Sequence, residues 1–231
     1  MAYESPVLAC ENPAVAAAIA MATDSHLRQA HYLLAARYPG SSPETHFGVS
    51  ATIMLLLTIA PTSALRHFCL TKNRPSKHDS EIFPACVEEF FPWQHVSIKD
   101  GEHRPAAERR TAAAKELYEV FRCPLIHSGG MVARGRRIVR LNHVFPGLAT
   151  FEENEARIAE LSQQETLSRR TLLEIDACQS TIHSRTLYWC VRKMIEAFAA
   201  DPVVEADIIR SLDIKPRIIV RRSNLSGGLQ S

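Results

Sequence analysis

Residues 152–200, EENEARIAELSQQETLSRRTLLEIDACQSTIHSRTLYWCVRKMIEAFAA, decide how the chain is classed. Leu161, Leu167, Leu172, Ile175 and Ile182 supply an apolar face in the first part. Tyr188, Trp189, Met194, Ile195 and Phe198 supply one in the second. Read at helical spacing, the stretch is one kinked helix or two helices in succession, stopped at Asp201-Pro202. A short amphipathic helix over 203–212 follows.

Upstream, the same period recurs. Asn12 is a good N-cap and Pro13 suits the first helical position, so a helix starts there. Its alanine-rich sequence runs to the stop at Pro39-Gly40, with Thr23-Asp24-Ser25 as a place to break it in two. A second helix spans 43–70. Ile53-Met54-Leu55-Leu56-Leu57 is apolar on every face, which makes this helix central, and Pro61 is expected to kink or restart it. Residues 71–106 carry Pro75, Pro84, Pro92 and Pro105 and read as a long loop with one short helix around 85–91, tied to the core by Phe90, Phe91 and Trp93. A third helix covers 105–123, and Ser128-Gly129-Gly130 ends its continuation. Residues 132–145 change to alternation, which suggests a short hairpin. Ile218-Ile219-Val220 reads as a strand able to pair with it.

The fold class read from these patterns is all-α: a helical bundle with a long loop and a small β-hairpin decoration. One domain covers 1–222, with 71–106 an extended loop insertion. The polar, Gly-rich tail at 223–231 is expected to be disordered.

Composition excludes more than it assigns. The chain has 231 residues, 46% hydrophobic and 23% charged, with a formal net charge of +2. That is ordinary globular composition, and the net charge alone implies neither nucleic acid nor membrane. Six scattered cysteines form no Cys-x2-Cys pair, which speaks against structural zinc and for small buried thiols in a reducing compartment. No basic region precedes the apolar run at 14–21, against a signal peptide. The apolar run at 49–60 is about a dozen residues, too short to span a bilayer. A cytoplasmic location without a membrane partner is expected. No phosphate-cradling glycine loop and no Gly-x-Ser-x-Gly frame occurs, and no His-x3-His pair, so no cofactor or metal is expected.

One segment has a spacing that suggests chemistry: Leu117-Tyr118-Glu119-Val120-Phe121-Arg122-Cys123-Pro124-Leu125-Ile126-His127. Arg is charged at every working pH and grips phosphate through parallel hydrogen bonds. His moves protons near neutrality. The segment resembles the Arg-x4-His motif of the HEPN superfamily, all-helical domains of which many are metal-independent endoribonucleases of toxin–antitoxin and defence systems. The resemblance implies that Arg122 holds the scissile phosphate and that His127 assists proton transfer as the second catalytic residue. It also implies a two-fold homodimer, an RNA substrate and an antitoxin-type protein partner. Cys123 stands where those proteins usually carry Asn, and Pro124 interrupts the motif. Both favour the alternative, a non-catalytic helical binding or dimerisation module. In a straight helix, residues five apart differ by about 140° around the axis, so only a kink brings Arg122 and His127 together. The bland reading pairs Arg122 with Glu119 or a neighbouring acid.

Arg134, Arg136, Arg137 and Arg140 follow closely and read as an RNA-binding patch, or as a solvated edge that blocks strand pairing. Tyr188 and Trp189 beside Arg192 and Lys193 read as an aromatic-basic patch or, at helical spacing, as core. The remaining histidines, including His26 and His31, are expected mostly at the surface. A third reading places a small-molecule pocket under the 71–106 loop.

Overall fold

The computed structural model describes residues 3–36, 46–70, 78–101, 103–124, 138–142, 150–167 and 170–211. Among the described residues, seven helices frame a four-stranded sheet. The first, α1 (Pro13–Ala35), starts where the sequence places it: the Asn12 Oδ1 accepts the N–H groups of Ala14 and Val15, and Pro13 needs no partner. It does not break at Thr23, whose hydroxyl instead donates to the Ile19 carbonyl. α2 (His46–Leu70) likewise continues through Pro61. Thr58, Thr62 and Ser63 around that proline turn their hydroxyls back onto the carbonyls of the preceding turn.

α1 and α2 form the most extensive helix pair. One stretch of α2, Phe47–His67, is long and apolar enough to cross a membrane by length and composition, which exceeds the run read from sequence; half of that window is buried within the protein. Its packing partners are α1, α3 (Asp79–Phe90), and the C-terminal helices α6 (Ser184–Ala200) and α7 (Pro202–Ser211), so it serves here as a core helix.

The 71–106 segment is more structured than a loop. It holds α3, a 3₁₀ turn at Trp93–His95 and β1 (Val96–Asp100). Phe90, Phe91 and Trp93 do bury themselves in the core, and the Trp93 indole N–H donates to the Val87 carbonyl.

The all-α class is overturned by the sheet, and residues 152–200 are the main reason. After α5 (Phe151–Gln163), begun by a full capping box of Thr150 and Glu153, the chain forms two strands before α6. These are β3 (Arg170–Ile175) and β4 (Gln179–His183). Between them the Asp176 carboxylate accepts the N–H groups of Cys178 and Gln179 and turns the chain back on itself. Thr171, Ile175, Thr181 and Ile182 are β-branched and suit a pleated surface. Adjacent Leu172 and Leu173 are both wholly buried; the pairing with β1 slips at Leu172, a bulge that breaks the strict alternation of the strand. A short apolar run of that kind carries no helical or strand period of its own.

The strand order is β1-β3-β4-β2, with β2 at Ile138–Asn142. The central pair β3–β4 is antiparallel, with Leu173 opposite Ile182. β1 joins β3 in parallel, and β2 joins β4 in parallel. β2 pairs with β4, Ile138 lying opposite Gln179; the rest of the expected hairpin, at 132–137 and 143–145, lies outside the described residues. Ile218-Ile219-Val220 and the 223–231 tail lie outside the described residues.

α4 (Ala106–Glu116) is fastened to the sheet by a buried hydrogen bond from the Ser180 hydroxyl to the Glu116 carboxylate. The largest wholly buried side chains are Trp189, Tyr188, Phe83, Phe121 and Phe198, contributed by α6, α3 and the end of α4. Tyr188 and Trp189 are core, not a surface patch.

Candidate functional site

α4 does not end cleanly. It widens into a π turn over Leu117–Arg122, in which the Cys123 N–H donates to the Tyr118 carbonyl five residues back. Leu117 and Phe121 are wholly buried and pin the turn from inside. π turns inside α-helices are uncommon and concentrate at working sites. Arg122 stands at the end of this one.

The Arg122 Nη2 donates to the Asp79 Oδ2 at 3.0 Å, and the guanidinium lies 5.1 Å from the centre of the Tyr118 ring. Its Nε is buried without a protein hydrogen-bond partner. The Arg122 side chain is 14% exposed, whereas Asp79 is 61% exposed. Asp79 belongs to the first turn of α3, where the helix dipole favours a carboxylate. The pair borders a small hollow of about 260 Å³, walled by Pro61, Ser63 and Ala64 of α2 and by Ile82 and Phe83 of α3. Burial first, and then the neighbouring Cys123 thiol, hold the Tyr118 phenol above its ordinary range.

Chemically this is a fixed cation sharing one N–H with a carboxylate that water reaches freely. Ion pairs with so exposed a partner contribute about 0–1 kcal/mol. An incoming oxyanion therefore displaces Asp79 at little cost, and gains a guanidinium already oriented by the Tyr118 ring. The acid that pairs with Arg122 is Asp79, not Glu119.

Of the other candidate residues, Arg140 is exposed on β2, the last of the described strands in the sheet order. His127, Arg134, Arg136 and Arg137 lie outside the described residues. Arg122 is partnered, among the described residues, by Asp79 and Tyr118. Among the described residues, no three His, Cys, Asp or Glu side chains gather as a metal site.

Sequence reading missed a second polar centre. His31, expected at the surface, is buried, with its Nδ1 2.8 Å from the Tyr188 hydroxyl. Arg192 is buried beside the same Tyr188 ring. A signal was present: Arg192 interrupts an α6 run in which Tyr188, Val191 and Ile195 are apolar or aromatic, and a charge in such a position needs a local reason.

The chain matches no family model, no curated protein and no solved structure.

Proposed function

We propose that the protein is an RNA-binding module in which Arg122 grips a backbone phosphate in exchange for Asp79. The observation that carries this reading is the asymmetry of that ion pair: a sheltered, oriented guanidinium with an unpartnered Nε, held by a carboxylate open to solvent. Exposed Arg140 on β2 adds a second cation for the RNA backbone. The module works as a homodimer in a reducing cytoplasm. Of the described cysteines, Cys86 and Cys190 are buried as expected, whereas Cys10 and Cys123 are half-buried and Cys178 is exposed.

Binding is favoured over cleavage because Cys123 stands where catalytic proteins with the Arg-x4-His motif usually carry Asn and Pro124 interrupts the motif. The π turn favours a second reading, metal-independent endoribonuclease activity, in which His127 assists proton transfer and an antitoxin-type protein restrains the enzyme.

Fluorescence anisotropy with a labelled single-stranded RNA tests the first reading. Arg122→Gln weakens binding roughly tenfold or more, the worth of a charge-assisted hydrogen bond. Asp79→Asn tightens it by up to about fivefold, since only an exposed pair is lost. Equal weakening by both substitutions, with equal loss of thermal stability, makes the pair a structural tie and overturns the proposal. RNA cleavage in EDTA that is present in wild type and absent in His127→Ala establishes the second reading.

A further inference from the structure

At the other end of α3 from Arg122 lies a cleft of about 830 Å³, half open to solvent and within the range of small-ligand sites. Its walls include Phe91, beyond the end of α3, and Trp189 of α6, both of them core aromatics. Two buried polar side chains also line it, His31 of α1 and Arg192 of α6.

Arg192 is 6% exposed. One Nη donates to the Glu4 carbonyl at 2.8 Å, and the guanidinium faces the rings of Tyr3 and Tyr188 at 5.8 and 5.9 Å. Its Nε–H is buried without a hydrogen-bond partner. No carboxylate among the described residues forms an ion pair with it. A buried cation balanced by no anion is costly, and the ring faces and one carbonyl offset only part of that cost.

His31 shares the arrangement. Burial first, and then the charge of Arg192, lower its pKa to about 4, so the ring is neutral at pH 7. Tyr188 keeps its proton, since burial raises its pKa, and the charge of Arg192 draws on its oxygen. The Tyr188 hydroxyl is then the donor to the His31 Nδ1, which leaves the His31 proton on Nε2. That Nε2 is also buried without a partner. Two N–H donors without a hydrogen-bond partner, one of them charged, thus belong to side chains that line one cleft and that both contact Tyr188. An acceptor carrying negative charge satisfies both.

The rest of the lining narrows its identity. Glu4, Glu89, Glu165 and Glu196 also border the cleft, and they repel a dianion more than a monoanion. We propose that the cleft binds a small organic carboxylate, whose oxygens accept from the Nε–H of Arg192 and the Nε2–H of His31 and whose apolar body rests along Phe91 and Trp189.

The test is a ¹H–¹⁵N titration of the whole chain that follows the Arg192 Nε–H and His31 Nε2–H signals. The probes are sodium benzoate, sodium acetate and inorganic phosphate, with sodium chloride at matched ionic strength as control. Benzoate is expected to move both signals saturably, with acetate weaker and phosphate weakest. Arg192→Gln and His31→Gln each lower benzoate affinity roughly tenfold or more. If either variant fails to fold, the wild-type titration decides alone. The proposal is overturned if neither carboxylate moves the signals beyond the chloride control. Benzoate binding retained in folded Arg192→Gln, or phosphate binding tighter than both carboxylates, also overturns it.

Discussion

Acid destabilises this protein through His31 by an amount that follows from its burial. Tyr3, Tyr32 and Tyr188 place their rings around the imidazole, and the charge of Arg192 acts on it. These surroundings lower the pKa from the ordinary 6.5 to about 4. The unfolded chain therefore takes up the proton first as pH falls. Stability is full above the unfolded value of 6.5 and drains as the pH approaches the folded value near 4. Each pKa unit corresponds to about 1.4 kcal/mol, so at pH 5 the loss is about 2 kcal/mol, and below both pKa values about 3 kcal/mol. Urea unfolding at a series of pH values measures it, with His31→Gln as the reference. Gln keeps a hydrogen-bonding group near Tyr188 but does not titrate, so carboxylates elsewhere cancel in the difference. Wild type minus variant should fall by about 2 kcal/mol between pH 8 and pH 5. A difference that stays flat refutes the claim that a neutral, desolvated His31 packs against Tyr188. A bound carboxylate favours protonated His31, so saturating benzoate should shrink the loss.

Other expected outcomes follow from the same packing. Ile182→Ala on β4 removes a wholly buried side chain opposite Leu173 and should cost about 2–5 kcal/mol in urea unfolding; a cost below about 0.5 kcal/mol contradicts a buried central strand. Maleimide labelling with peptide mapping should modify exposed Cys178 first. Buried Cys86, whose thiol is pushed up to about 12, and Cys190 should react only on unfolding, and fast native labelling of either contradicts their burial. Asn12→Ala removes the cap over the Ala14 and Val15 N–H groups and should cost about 1 kcal/mol, read as a lowered melting temperature.

What was legible in the sequence was local. The start of α1 is written in Asn12-Pro13, because a cap is decided by two adjacent residues. The anchoring of the 71–106 segment is written in Phe90, Phe91 and Trp93, because large aromatics seek the core wherever the backbone goes. The sheet was hidden for the opposite reason. β1 finds its partner across the pairing of Val96 with Arg170, and β2 across the pairing of Ile138 with Gln179. Parallel pairing of distant segments leaves no short-range mark. Leu172, Ile175 and Ile182 fit a helical count well enough to mask the turn that Asp176 makes between them. The candidate site divides in the same way. Arg122 stands out in its motif, but Asp79 is 43 positions upstream and carries no sign of the pairing. His31 looked like a surface histidine on an alanine-rich helix, since Tyr188, which buries it, is 157 positions away.

The most direct test of the central claim is the affinity of wild type, Arg122→Gln and Asp79→Asn for one labelled RNA at one fixed salt concentration. Phosphate recognition by Arg122 in exchange for Asp79 predicts opposite effects: weaker binding when the guanidinium is removed, tighter binding when the competing carboxylate is removed. No measurable RNA binding by folded wild type, or the same affinity in all three proteins, contradicts it.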